Sequence, residues 1–350
     1  MTEGPRMVRM VRIALALLLL AGIVTPAGPA GAQETLTFRL NHLPWGMHTA
    51  YYAALEKGFW KELGLDVKII PGHGALEAVN TVGAGKEDVG LGSVDTVLVG
   101  QAKGVPIRAI AMDMYQNPSC LIFMKQSGIA KPKDLEGRSV GHPPASTTKN
   151  ILDAGLKLSG VDLTRVKVVN HPVGAEYQLL ASGKVDAFGG FCSGQVPTLE
   201  EKGFKVGAIS LKDMGIDAYG MMLFTNDKTL RDRPEALVKF LRGWLRGHQW
   251  AYQHVAEATK LVLKHRPDRN MLEGAKFKMI LAENRADEAR QRGFGAMVDD
   301  KWQKSMDILV RAGIMDRPLN VREVYTNDLV ERAPEAREFA TLLFAGPPKD

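Results

Sequence analysis

Cysteine is nearly absent from this sequence: 350 residues hold two, Cys120 and Cys192. Two thiols cannot build the disulfide framework of a small secreted scaffold or a four-cysteine zinc site. They can form one bridge in an oxidising compartment or stay as two buried thiols, and the sequence leaves both open. One-signed charge is also scarce. The net charge of +6 is spread along the chain, which speaks against a nucleic-acid partner. No G-x-S-x-G nucleophile elbow, H-E-x-x-H helix or Walker A loop is expected, and the glycine pairs Gly83/Gly85 and Gly90/Gly92 lack the Rossmann spacing. His42, His48 and His73 suffice by number for a metal but fall on two loops without helical pairing, so no metal and no cofactor are expected. Beyond the N-terminus no apolar run reaches the ~20 residues that span a bilayer.

What is present begins with an export signal. Arg6, Arg9 and Arg12 precede the apolar run Ile13–Val24, and Ala30-Gly31-Ala32 offers an A-x-A cleavage site. Residues 1–32 therefore read as a signal peptide cut after Ala32, with the mature protein in the periplasm. The remaining length suggests two domains. A hydrophobic fraction of 45% against 24% charged residues is the balance of a globular chain.

Short β-branched runs then alternate with helical stretches. Strands are expected at 36–40, 65–70, 89–91 and 107–112, with helices over 50–62, 77–84 and 96–103. The alternation restarts at 120–124 and runs through strands near 139–141, 166–170, 185–189 and 206–209. Strand–helix alternation predicts a parallel, doubly wound α/β sheet, here twice over. The last third is helical, with a long amphipathic run over 234–265 and a frayed tail over 345–350. Met114–Pro118 and Asp217–Met222 are the expected crossings between lobes. This gives lobe 1 as 33–114 plus 220–350 and lobe 2 as 115–219, joined by a two-strand hinge.

Ligands of open α/β sheets lie beyond the carboxyl ends of the strands, which selects a set of loops. Asn41, His42, Trp45 and His48 crowd the turn after the first strand. His73 follows the second strand, and Ser93 opens a helix after the third. In lobe 2, Ser146 and Thr147 bring hydroxyls to a helix N-terminus, where free N–H groups favour an acceptor. Glu176, Phe191 and Gln195 sit on two further loops. Phe191 is expected to form an aromatic sandwich with Trp45 across the cleft, and Tyr115 and Tyr219 on the crossings offer further faces.

Leu55–Val67, reading L-E-K-G-F-W-K-E-L-G-L-D-V, resembles a stretch of the solute-binding proteins of ABC importers. Gly104-Val105-Pro106-Ile107, Pro132–Gly137 and Gly183–Ala187 are similar to further segments of the nitrate, sulfonate, taurine and thiamine-precursor binding group, in the same order. The match covers most of 36–265 and is specific for the family rather than for the ligand. The resemblance implies a type II periplasmic binding fold, closure of two lobes on a small molecule, and delivery to a membrane permease and its ATPase by a monomer. Pro44 and His48-Thr49 resemble the thiamine-pyrimidine binders most. In their pattern W-x-P-N-x-x-H, His42 stands here at the tryptophan and Trp45 at the asparagine, and Gln195 stands where they often carry a carboxylate. An exported lyase or hydrolase on the same fold, or a sensor presenting its ligand to a receptor, are the alternatives. The related yeast hydroxymethylpyrimidine-phosphate enzyme uses a cysteine-rich loop that Cys192 alone does not reproduce.

Overall fold

The computed structural model describes residues 33–349; the segment read as a signal peptide, with its cleavage site, lies outside them. Ten strands form two five-stranded sheets. The first holds β1 (Glu34–Arg39), β2 (Leu65–Ile70), β3 (Val89–Ser93), β4 (Ile107–Met112) and β10 (Met221–Asn226) in the order β2-β1-β3-β10-β4. The second holds β5 (Ser119–Met124), β6 (Ser139–His142), β7 (Lys167–Asn170), β8 (Ala187–Phe191) and β9 (Val206–Ser210) in the order β7-β6-β8-β5-β9. In β1, Leu36 and Phe38 are buried while Thr35 and Thr37 are not, the period of two that marks one covered face.

The two sheets repeat one plan. Three strands run parallel, β2-β1-β3 and β7-β6-β8. The fourth position is antiparallel in each, β10 in the first and β5 in the second. Each of these antiparallel strands is the one that follows a crossing from the other sheet. The alternation of strands and helices thus holds, but neither sheet is purely parallel.

Several boundaries moved for local reasons. The helix expected over 50–62 is broken into Thr49–Glu56 and Phe59–Glu62 by Gly58, whose φ of +78° only glycine adopts without strain. The 234–265 run is two helices, Pro234–Gln253 and Val255–Leu263, which part at His254. Gln195 is not on a loop: β8 ends at Phe191 and the helix Cys192–Glu201 begins at the next residue, despite Pro197 inside it. The C-terminal tail is tied down. Val255 N–H donates to Lys349 O (3.0 Å), and Lys349 N–H donates to Tyr252 O (2.9 Å).

One apolar cluster runs from Leu91, Val94 and Leu98 beside the first sheet into Ile151, Leu152 and Leu211 beside the second. A smaller cluster, with Ile122, Phe188 and Leu199, covers the outer face of the second sheet. Among the described residues no helix is long and apolar enough to cross a membrane.

Candidate functional site

A cleft of about 740 Å³, counting its open mouth, lies between the carboxyl ends of the strands of both sheets. The turn after β1 contributes Asn41, His42 and Trp45, and the turn after β2 contributes His73 and Gly74. From lobe 2 come Ser146, Thr147 and Thr148 after β6, and His171 and Glu176 after β7. The end of β8 and the helix after it add Phe191, Gly194 and Gln195. The helical return closes the wall with Arg269 and Lys276.

The polar groups on this wall have fixed orientations. His48 lies beneath it, fully buried. Its Nδ1 accepts the Trp45 N–H (3.2 Å), so its proton sits on Nε2 and is donated to Asn41 Oδ1 (3.1 Å). Burial, reinforced by repulsion from His42 and Arg266, holds the His48 imidazole well below its usual range, so the ring is neutral as this tautomer requires. With Oδ1 occupied, Asn41 turns its amide N–H groups to the cleft as donors. Gln195 is fixed in the same sense: its Oε1 accepts the Phe191 N–H (2.8 Å), which leaves its NH₂ free to donate.

Two histidines have the opposite polarity. His42 Nδ1–H donates to Leu43 O (3.1 Å), and His171 Nδ1–H donates to Pro172 O (2.8 Å). Each ring then presents Nε2 as an acceptor. Burial, the dominant influence, lowers the His42 pKa despite Glu176 and the Leu43 carbonyl. The Nε2 of His171 is buried with no protein partner. Glu176 adds a carboxylate, one oxygen of which accepts the Gly174 N–H (2.8 Å). Each lobe therefore offers at least one oriented donor and one oriented acceptor.

The aromatic walls touch each other. Trp45 and Phe191 have ring centroids 6.1 Å apart and planes tilted by 57°. The expected sandwich is thus absent: a ring between two others needs roughly parallel planes about 7 Å apart. Gly194 allows this approach, since a Cβ there would meet the Trp45 ring at 2.9 Å. Gly74 has a similar role on the opposite rim. Its φ is +141°, and a Cβ would fall 1.8 Å from Ala145 O of lobe 2. Beside it, Ala75 N–H donates to Thr147 Oγ1 across the lobes (3.2 Å). Asn270 Nδ2 donates to Glu201 Oε1 (2.9 Å), a second tie across the interface.

Four residues selected from the sequence lie off the cleft wall. His48 is the support just described. Ser93 is buried and its hydroxyl pairs with Thr96 Oγ1 (2.9 Å). Tyr115 Oη donates to Ala296 O (3.0 Å) and accepts the Gly295 N–H (2.8 Å), and Tyr219 Oη accepts the Val298 N–H (3.0 Å). Both tyrosines are fully buried and pin the crossings to the 294–298 segment rather than facing a ligand. Sequence reasoning missed His171, Tyr177, Arg269 and Lys276. His171 directly follows a strand, the one signal that pointed to it.

Cys120 and Cys192 are bridged, which leaves no free cysteine among the described residues. Gly137–Gly141 does spell G-x-S-x-G, contrary to expectation, but it forms no elbow. Ser139 opens β6, and its hydroxyl donates to Asp186 Oδ2 (2.7 Å). Among the described residues no three His, Cys, Asp or Glu side chains group so as to hold a metal.

The chain is similar to a formylaminopyrimidine-binding protein of Halalkalibacterium halodurans, 24% identical over 91% of this chain and 98% of that protein. It is 27% identical to the 4-amino-5-hydroxymethyl-2-methylpyrimidine phosphate synthase THI13 of Saccharomyces cerevisiae, over 68% of this chain and 73% of the enzyme. The fold is that of the alkanesulfonate-binding protein SsuA from Xanthomonas axonopodis pv. citri bound to MOPS, with a TM-score of 0.66 and 13% identity, covering 85% of this chain and 98% of that one. The type II periplasmic binding fold expected from the sequence is therefore the fold present. Residues 45–258, more than half of the chain, match the family described as NMT1/THI5 like, and the chain belongs to that family.

Proposed function

We propose that this chain is the solute-capturing component of an ABC importer, working outside the cytoplasm after loss of residues 1–32. Residues 33–114 with 220–350, and residues 115–219, act as two lobes that close on a small heteroaromatic solute. The closed form then passes the solute to a permease and its ATPase. The observation that carries this reading is a wall built by both lobes, with Asn41 and His42 on one and His171 and Gln195 on the other. Oriented donors and acceptors beside aromatic faces suit the edge and face of a nitrogen heterocycle. The pyrimidine named in the Halalkalibacterium relative is a ligand of that chemistry.

A thermal-shift screen of residues 33–350 tests it. A ligand that binds only the folded protein stabilises it by RT ln(1 + [L]/Kd), about 2.7 kcal/mol at a hundredfold excess over Kd. Aminopyrimidines should raise the melting temperature by several degrees. If they and a panel of sulfonates, flavins and aromatic acids raise it by nothing, the binding reading fails. Trp45→Ala should weaken the binding of an aromatic ligand by about 1–3 kcal/mol. An unchanged Kd in calorimetry would take Trp45 out of the site.

Closure gives a second check. Gly74→Ala places a methyl group against Ala145 O and strains a backbone at φ +141°. Affinity should fall tenfold or more, and small-angle scattering with saturating ligand should show a larger radius of gyration than in the unsubstituted protein. Equal radii would mean that the rim yields and that closure does not depend on this glycine.

The synthase name of the yeast relative favours one other reading, turnover of the bound compound. Its test is product formation on incubation with aminopyrimidines, abolished by Glu176→Gln. Stoichiometric recovery of unchanged ligand supports capture without chemistry.

A further inference from the structure

We infer that the captured solute carries an acidic group and that Arg269 receives it; this rests on the binding reading above. Arg269 stands on the cleft wall with its side chain 21% exposed, and its Nε is buried without a hydrogen-bond acceptor. The carboxylates near it are already engaged. Asp268 accepts two bonds from Arg266, both 2.7 Å. Glu273 accepts the Lys276 ammonium (2.7 Å) and the Gly46 N–H (2.7 Å). Arg269 meets Asp268 only at 3.6 Å and Glu273 only at 4.0 Å, both beyond hydrogen-bond reach.

The remaining carboxylate on the wall, Glu176, forms no ion pair with Arg269 among the described residues and already takes the Gly174 N–H. A guanidinium presents a planar fork of donors that matches a carboxylate, sulfonate or phosphate edge on. A largely buried guanidinium whose Nε has no acceptor is costly, and a ligand acid removes that cost.

Arg269 lies on the helical return of lobe 1, while Glu176 and Tyr177 belong to lobe 2. An acid held by Arg269 would therefore sit where the lobes meet, and its binding would favour closure. Glu176 calls for the complementary feature, an amino or ring N–H donor on the same molecule. The solute class is an amino-substituted heteroaromatic acid rather than a neutral base.

The test uses matched pairs that differ only in the acid. Residues 33–350 are titrated calorimetrically with 4-amino-2-methylpyrimidine-5-carboxylate and its 5-carboxamide, and with nicotinate and nicotinamide. In at least one pair the acid should bind tenfold or more tightly than its amide, with an affinity that falls as salt rises. Arg269→Gln should weaken the acid far more than the amide and so erase the difference between them. In parallel, small molecules released from the natively purified protein on denaturation are identified by mass spectrometry. Amides that bind as well as acids, an Arg269→Gln protein that keeps the preference, or a released solute without an acidic group would overturn the inference and leave solute capture standing. A protein that releases nothing and binds neither these pairs nor any of the sulfonates, flavins and aromatic acids of the wider panel would remove both.

Discussion

Replacing Cys120 and Cys192 together by serine should lower the stability of the protein by about 4 kcal/mol. The bridge closes a loop across a sequence separation of 72. Loop-closure entropy lost from the unfolded chain is worth about 3 kcal/mol for 15 residues and about 4.7 kcal/mol for 100. The native backbone needs no bridge to bring the sites together, since β5 and β8 pair directly with Cys120 opposite Gly190. The gain therefore comes mainly from the unfolded state. Denaturant titrations of the oxidised protein and the double variant, at equal pH, give the difference. A loss below about 1 kcal/mol would mean that the unfolded chain is already restricted in this region. Cys192 starts the helix that carries Gly194 and Gln195, so ligand affinity should fall as well.

Asp95→Asn should do the opposite and raise stability at pH 7.5 by about 3 kcal/mol. Asp95 is fully buried, and neither carboxylate oxygen has a hydrogen-bond partner. Ser93 Oγ and the N–H groups of Asp95, Ile151 and Thr96 lie near enough to offset part of the burial, but burial dominates and lifts the pKa from 3.8 to about 6. The folded protein thus holds this proton more tightly than the unfolded chain does. The destabilisation is absent below about pH 4, grows as pH rises through 6 and is complete near pH 7. A rise of about two in pKa corresponds to about 3 kcal/mol. Stabilities measured at pH 4 should be equal for the two proteins and should diverge with increasing pH. A constant offset between them would place the effect in packing instead.

The sheet architecture was legible because period-two burial and glycine-punctuated helices are local signals. Leu65–Ile70 and Ile107–Met112 emerged at their observed bounds for that reason. The rule that ligands lie beyond strand ends also selected Asn41, His42, Trp45, His73, Ser146, Thr147, Glu176, Phe191 and Gln195, all of which line the cleft. What stayed hidden depends on packing between distant segments. Arg269 and Lys276 reach the cleft because Glu273 bonds Gly46 across 227 positions, and no spacing within the helical return announces it. Tyr115 and Tyr219 looked like cleft aromatics because they lie on the crossings. Their hydroxyls instead satisfy backbone groups of a segment whose proximity no local pattern reveals. His48 and Asn41 fell in one motif, but only the tautomer separates the support from the residue it orients.

The placement of β10 between β3 and β4 has a consequence for how the chain matures. Met221 pairs with Ser93 and Asn226 with Ile107, so the first sheet has a gap until more than 220 residues have left the ribosome or crossed the membrane. Every strand of the second sheet lies between Ser119 and Ser210. The second sheet can therefore assemble while the first is still two fragments with unpaired strand edges. Such edges recruit other strands when left open, so a chain stalled before Met221 is the species from which aggregates should grow.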